Sequence, residues 1–353
     1  TLLCLLLLLV ASIILVNKGK VKMPLYLYIV TGAYLFFLVI GLLYSHNKPL
    51  IDIKFQILAF LFYMFLLNKK DFKILPFLFI INYIVLGIYI LLYLGKFPNM
   101  WHSVIVGYQG RVYGPSIISI VLISFYYLIN KKNFDTKLAI AFIVALPSFV
   151  LTTNLMNLVI TGILLFLLLV DLKKLFQPKI VFIIIGIGLS SYLFFTSDFA
   201  PELIKEKVPY ILNPLEYPSL KIRQTDLKAA YYSENYTLRE KLIGKGFGAS
   251  TIIYRENLKA TSWSRFYSFQ EIDNGFYYLF HRGGYLLLFL FITLHIYLIF
   301  IIDSLKAKVG FISIVLITCF LSIHYFNNMF YLIIIYLIVK NKFSIRNKDL
   351  IIS

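Results

Sequence analysis

Apolar runs of bilayer-spanning length recur along this chain between short basic breaks, and no other feature constrains its fold as strongly. A chain of 353 residues that is 60% hydrophobic, 18% aromatic and only 14% charged cannot hide its apolar side chains in a water-surrounded core. The runs fall at residues 1–16, 25–44, 51–67, 74–94, 115–129, 138–151, 155–170, 180–195, 274–302, 309–325 and 329–339. They predict an all-α polytopic membrane protein with about eleven transmembrane helices. In chain order this gives a bundle of eight spans over 1–195, a long polar segment over 196–272, three spans over 273–340 and a tail over 341–353.

Orientation follows from the short connections, because Lys and Arg stay on the cytoplasmic side. One alternating set carries eighteen basic residues, among them Lys69, Lys70, Lys73, Lys131, Lys132, Lys137, Lys173, Lys174 and Lys179; the other carries four, Lys48, Lys54, Lys96 and Arg111. Fusing the sixth and seventh runs across Thr152, Thr153 and Asn154 would move every later basic connection outside. Eleven spans, with the long segment facing outward, is the consistent reading. By the same parity the first run, which begins at Thr1 without a Met, goes from outside to inside, so an earlier span is expected upstream.

Several chemistries are disfavoured. The net charge of +18 is mostly cytoplasmic anchoring against anionic lipid, and no nucleic-acid motif accompanies it. Cys4 and Cys319 lie in apolar runs without a CxxC, and His46, His102, His281, His295 and His324 lack metal-ligand spacing. Neither a metal nor another cofactor is expected. The absence of a P-loop pattern disfavours an ATP-driven pump.

Six of the seven arginines sit in or beside the outward connections: Arg111, Arg223, Arg239, Arg255, Arg265 and Arg282. A guanidinium matches phosphate oxygens two at a time where an ammonium is a point charge, so a face that selects Arg suggests phosphate recognition. Within the long segment, Leu220, Arg223, Leu227 and Ala230 share one helical stripe, which predicts a short helix near the membrane surface. Gly244, Gly246 and Gly248 follow in IGKGFG; they either present amides to an anion or form an ordinary turn. At the re-entry into the membrane, Asp273, Asn274, Tyr277, His281 and Gly284 recur at helical spacing. Asp273 or Asn274 either caps the ninth span or bears chemistry, and His281 is either an interfacial histidine or a catalyst.

The order of these pieces resembles the O-antigen polymerase and ligase superfamily: an Arg on a short outer helix (Arg223), a glycine-rich turn, then Asp273–Asn274 with Gly284 ten residues on. GRVYGP at 110–115, an outer Arg before a span, is similar to that family's first patch. Two departures stand out. Ligases of the superfamily usually carry His before the Asn, where this chain has Asp273, and the usual Ser-Arg between the sixth and seventh spans is replaced by TTNLMN at 152–157.

The resemblance implies about twelve spans in the intact protein, a GT-C-like glycosyltransferase class and a place in the bacterial cytoplasmic membrane. It implies a metal-independent polymerase that joins undecaprenyl-pyrophosphate-linked oligosaccharide repeat units at the outer face, building lipopolysaccharide O-antigen, capsule or exopolysaccharide. Partners would be that lipid-linked donor, membrane lipid, and the flippase and chain-length regulator of the same pathway. On this reading Arg223 and Arg239 bind pyrophosphate with Arg111 as a third clamp, Asp273 takes the proton of the attacking hydroxyl and Asn274 orients it. Tyr277, His281, Arg282 and the three glycines line the substrate, while Trp101, Trp263 and Tyr267 stack on sugars or anchor at the interface. A ligase using the same donor, and a flippase or transporter of lipid-linked sugars, are the alternatives; the spans carry few of the charges a transport path needs.

Overall fold

The computed structural model describes residues 25–44, 74–93, 106–107, 111–112, 115–152, 155–170, 209–212, 216–254, 266–269, 272–322 and 333–341, with single positions 178, 186, 189, 193, 196 and 197. Most of these are helical. The main helices are α1 (Leu25–Leu43), α2 (Ile74–Tyr93), α3 (Pro115–Ile129), α4 (Thr136–Thr152), α5 (Leu155–Leu169), α6 (Pro218–Ser233), α7 (Leu238–Ile243), α8 (Gly275–Ile301) and α9 (Leu305–Leu321). Each apolar run that falls on described residues is helical there, and α4 and α5 are separate helices. The runs at 1–16, 51–67 and 180–195 lie outside the described residues, apart from single positions in the last. By length and composition α8, at 27 residues, can cross a membrane.

Two antiparallel hairpins add to the all-α expectation: β1 (Val106–Gly107) with β2 (Arg111–Val112), and β3 (Thr251–Tyr254) with β4 (Phe266–Phe269), where Ile252 faces Ser268. Packing also divides the chain differently from the order of spans and loop. One unit gathers 1–72, 218–301 and 315–353; the other gathers 73–217 and 302–314.

In the second unit α3 is the central helix, packed by α2, α4 and α5. Its polar contacts are internal, as apolar surroundings require. Buried Asn82 on α2 donates from Nδ2 to the Ala141 carbonyl at 2.9 Å, and Ser119 reaches Asn82 Oδ1 at 3.5 Å. The end of α3 turns through Lys131 at φ 52°, where Lys131 and Lys132 amides return to the carbonyls of Leu128 and Tyr127. Asp135 then caps α4 by accepting from the Leu138 amide at 2.9 Å.

The first unit holds α1, α6, α7, the β3–β4 hairpin, α8, the end of α9 and a last helical stretch at 333–341. Thr237 and Glu240 form a reciprocal capping box that starts α7. In α8 the helix is interrupted at Gly284, with φ 59° and ψ −158°. The 17 residues beyond the break rise about 25 Å, close to the thickness of a bilayer's hydrocarbon core.

Candidate functional site

Arg223 and Asp273 meet where α6 reaches the beginning of α8. Helix α6 opens on Pro218, which suits the first helical position, and buries Ala230 in a small core with Ile253, Ile272 and Tyr277, flanked by Leu227. That seating brings Arg223 Nε to 3.2 Å from Asp273 Oδ2, while Nη1 donates to the Leu321 carbonyl at 2.7 Å. Asn274 Nδ2 donates to the neighbouring Phe320 carbonyl at 3.1 Å. A helix leaves its last carbonyls without partners and carries partial negative charge there, so the guanidinium and the amide together close the end of α9.

The sequence left the cap of α8 open between two residues, and Asn274 holds it. Its Oδ1 accepts from the Tyr277 amide at 2.8 Å, and its own carbonyl takes the first helical bond, from Tyr278. Asp273 stands just outside the helix with its side chain 46% exposed, against 35% for Arg223. The pairing engages Asp273 through Oδ2, and Arg223 through Nε with Nη1 on the Leu321 carbonyl. An exposed carboxylate oxygen beside a guanidinium can accept a proton, and a nearby N–H can face an anion.

A closed ring of hydrogen bonds lies one turn further into α8. His281 is fully buried; its Nδ1 is 2.7 Å from Tyr236 Oη and its Nε2 is 3.3 Å from Thr251 Oγ1. Tyr277 Oη completes the circuit at 3.0 Å from Thr251 and 3.2 Å from Tyr236. Burial, then the hydrogen bond with Tyr277, pushes the Tyr236 hydroxyl far above the ordinary phenol range, so it stays protonated. His281 and Tyr277, expected to touch substrate, are therefore occupied inside the protein. Period 3.6 relates Tyr277 to His281, but nothing local in the sequence points to Tyr236 or Thr251.

The glycine-rich turn is a packed crossing rather than an anion cradle. The amides of Gly244, Lys245, Gly246 and Phe247 donate to the carbonyls of Glu240, His281, Arg282 and Phe37, at 2.8 to 3.2 Å. Those of Lys245 and Gly246 thereby supply donors to the carbonyls freed by the break at Gly284. Gly244 has φ 69°, and a Cβ there would lie 2.4 Å from the Arg282 backbone; a Cβ on Gly246, at φ 84°, would lie 2.2 Å from Gly41 N. Gly248 closes the turn at φ 86°. The expectation that these amides face a phosphate is corrected on this ground.

The other expected site residues are dispersed. Arg239 is exposed, its guanidinium 5.5 Å from the Tyr44 ring centroid at the end of α1. Arg282 is 2% exposed and stacked 4.6 Å from the Tyr278 ring centroid, so it is a core cation and not an open clamp. Arg111 lies in β2 of the other unit. Trp101 and Trp263 lie outside the described residues, as do Arg255 and Arg265, and Tyr267 is a strand residue of β4. Lys245 pairs with Glu234 beside the ring, a contact sequence reasoning passed over. At the head of α7, burial works to raise the Glu240 carboxyl, but the Thr237 amide and hydroxyl outweigh it and hold the group below the usual value.

No protein-family model, curated protein or solved structure matches the chain.

Proposed function

We propose that this chain is a multi-pass polymerase of the bacterial cytoplasmic membrane that joins undecaprenyl-pyrophosphate-linked oligosaccharide repeat units at the outer face. The half-exposed Asp273 carboxylate, held by Arg223 at the head of a membrane-length helix, is the observation that carries this reading. In the proposed step Asp273 Oδ1 takes the proton of the acceptor hydroxyl as that oxygen bonds to the donor sugar's anomeric carbon. The bond from that carbon to phosphate breaks, and the lipid pyrophosphate leaves with the electron pair. Arg223 has Nε and Nη1 committed to Asp273 and Leu321, so Nη2 is the group it offers to a phosphate oxygen. A two-oxygen grip by Arg223 is not the geometry. Exposed Arg239 is then the better candidate for the bulk of the pyrophosphate charge.

Eleven spans with an outward polar segment belong to the same proposal, supported by the partition of basic residues. A cysteine label at the exposed position Tyr232 reacts from outside, and one at Lys173 does not. The chemistry is tested in proteoliposomes supplied with lipid-linked repeat units. A ladder of polymer lengths is expected. Transfer to lipid A core without a ladder indicates a ligase, and labelling of Tyr232 only from the cytoplasmic side overturns the scheme.

A further inference from the structure

Counting protons in the ring around His281 defines the state of its imidazole. Three hydroxyls and one neutral imidazole bring four protons to four contacts, so every group donates once and accepts once. The bonds run all one way with the imidazole proton on Nδ1, or all the other way with it on Nε2. An imidazolium would add a fifth proton, and one hydroxyl would lose its acceptor within the ring.

Tyr277 carries the ring's hold outward. Its side chain packs in the core that contains Ala230 of the Arg223 helix, and its amide donates to Oδ1 of Asn274, the neighbour of Asp273. One residue of the ring thus supports both elements that bring Arg223 to 3.2 Å from Asp273.

We propose that His281 is a positioning residue: a ring-bound imidazole that, through Tyr236, Thr251 and Tyr277, keeps Arg223 and Asp273 in register without touching substrate. Its part in turnover rests on the polymerase reading. The test uses the full chain in proteoliposomes, with Thr251→Val and Tyr236→Phe each removing one hydroxyl while keeping the side chain's outline. Hydrogen exchange, which needs no substrate, is followed at amides 274–278 and 220–230. Exchange there speeds up on the order of tenfold, the loss of about one net hydrogen bond, with 120–129 unchanged. With lipid-linked repeat units as substrate, kcat falls in both variants while KM moves little. The ¹⁵N signals of His281 report a neutral ring at neutral pH. Unchanged exchange in both variants, or an imidazolium signal, overturns the proposal. If exchange responds while the parent chain makes no polymer, the ring's hold on the pair stands and the polymerase reading is what fails.

Discussion

Replacing Gly244 by alanine tests whether the crossing of the glycine turn over α8 holds the first unit together. At φ 69° and ψ −172° this residue occupies backbone space that is almost exclusive to glycine, which costs an alanine about 1 to 3 kcal/mol. The added Cβ would also sit 2.4 Å from Arg282 C and O and Gly283 N. Backbone atoms on both sides leave no flexible side chain to give way, so the crossing must separate. Separation weakens the Lys245–His281 and Gly246–Arg282 bonds, 2.9 and 2.8 Å, at roughly 0.5 to 1.5 kcal/mol each. The total is about 2 to 6 kcal/mol, a large part of the 5 to 15 kcal/mol typical of a domain.

Gly162→Ala is the control, because a Cβ on that exposed helical glycine meets nothing within 4 Å and gains about 0.5 to 1 kcal/mol in a helix. Both variants are heated in detergent, and the fraction remaining monodisperse is followed by size exclusion. Gly244→Ala is expected to lose its monodisperse peak well below the parent, and Gly162→Ala at or above it. Equal midpoints for the two variants would refute the crossing as a source of stability.

Asp273→Asn leaves the cap of α8 in place, since Asn274 makes it, and is expected to express normally while turnover of lipid-linked repeat units drops by about 10² to 10⁴. Normal polymer from that variant removes Asp273 from the chemistry. Arg223→Lys keeps a cation but cannot reach Asp273 and Leu321 from two nitrogens of one plane; polymer synthesis at matched protein level should fall on the order of 10²-fold. Glu240, whose carboxyl titrates below the ordinary glutamate value of 4.5, stabilises the start of α7 fully above that value. The contribution is lost as pH falls through the lowered value. Hydrogen exchange at 238–243 should accelerate in acid for the parent, whereas Glu240→Gln, still able to complete a capping box, shows no such step.

Helix positions among the described residues were legible because an apolar run there is long enough to outweigh its local exceptions: α3 begins and ends where the run at 115–129 does. The start of α8 was legible too, since Asp273–Asn274 before an apolar stretch is a helix start whichever residue caps it. Three features could have been read and were not. TLRE at 237–240 is a capping-box pattern, and TIIY at 251–254 and FYSF at 266–269 are runs of β-branched and aromatic residues. What could not be read is where amides point. The Lys245 and Gly246 amides look alike whether they cradle an anion or cross a helix, and only the carbonyls of His281 and Arg282, 36 residues on, decide it. Tyr236 and Thr251 join His281 for the same non-local reason.

Arg223 serves the fold and the proposed reaction through the same contacts. Its guanidinium lies between the Asp273 carboxylate and the partial negative charge at the end of α9. Under the proposed step, the proton of the acceptor hydroxyl neutralises Asp273 while the departing pyrophosphate gains negative charge. Arg223 then loses one anionic partner as another develops. A guanidinium still bound to Leu321 O need not move to answer that change, because its field acts on the new anion without reorganisation, which is the condition for electrostatic stabilisation of a transition state. Removing the Leu321 contact while keeping the Asp273 pair should therefore slow turnover more than it weakens donor binding. Leu321→Pro in the last turn is too disruptive to show this. Replacing Ser322 by its α-hydroxy acid turns the Leu321–Ser322 amide into an ester, whose carbonyl is a poorer acceptor for Nη1, while Arg223 keeps its full length and its Asp273 pair. A parallel loss in kcat and in affinity for the lipid-linked donor would mean that Arg223 acts only as a binding charge.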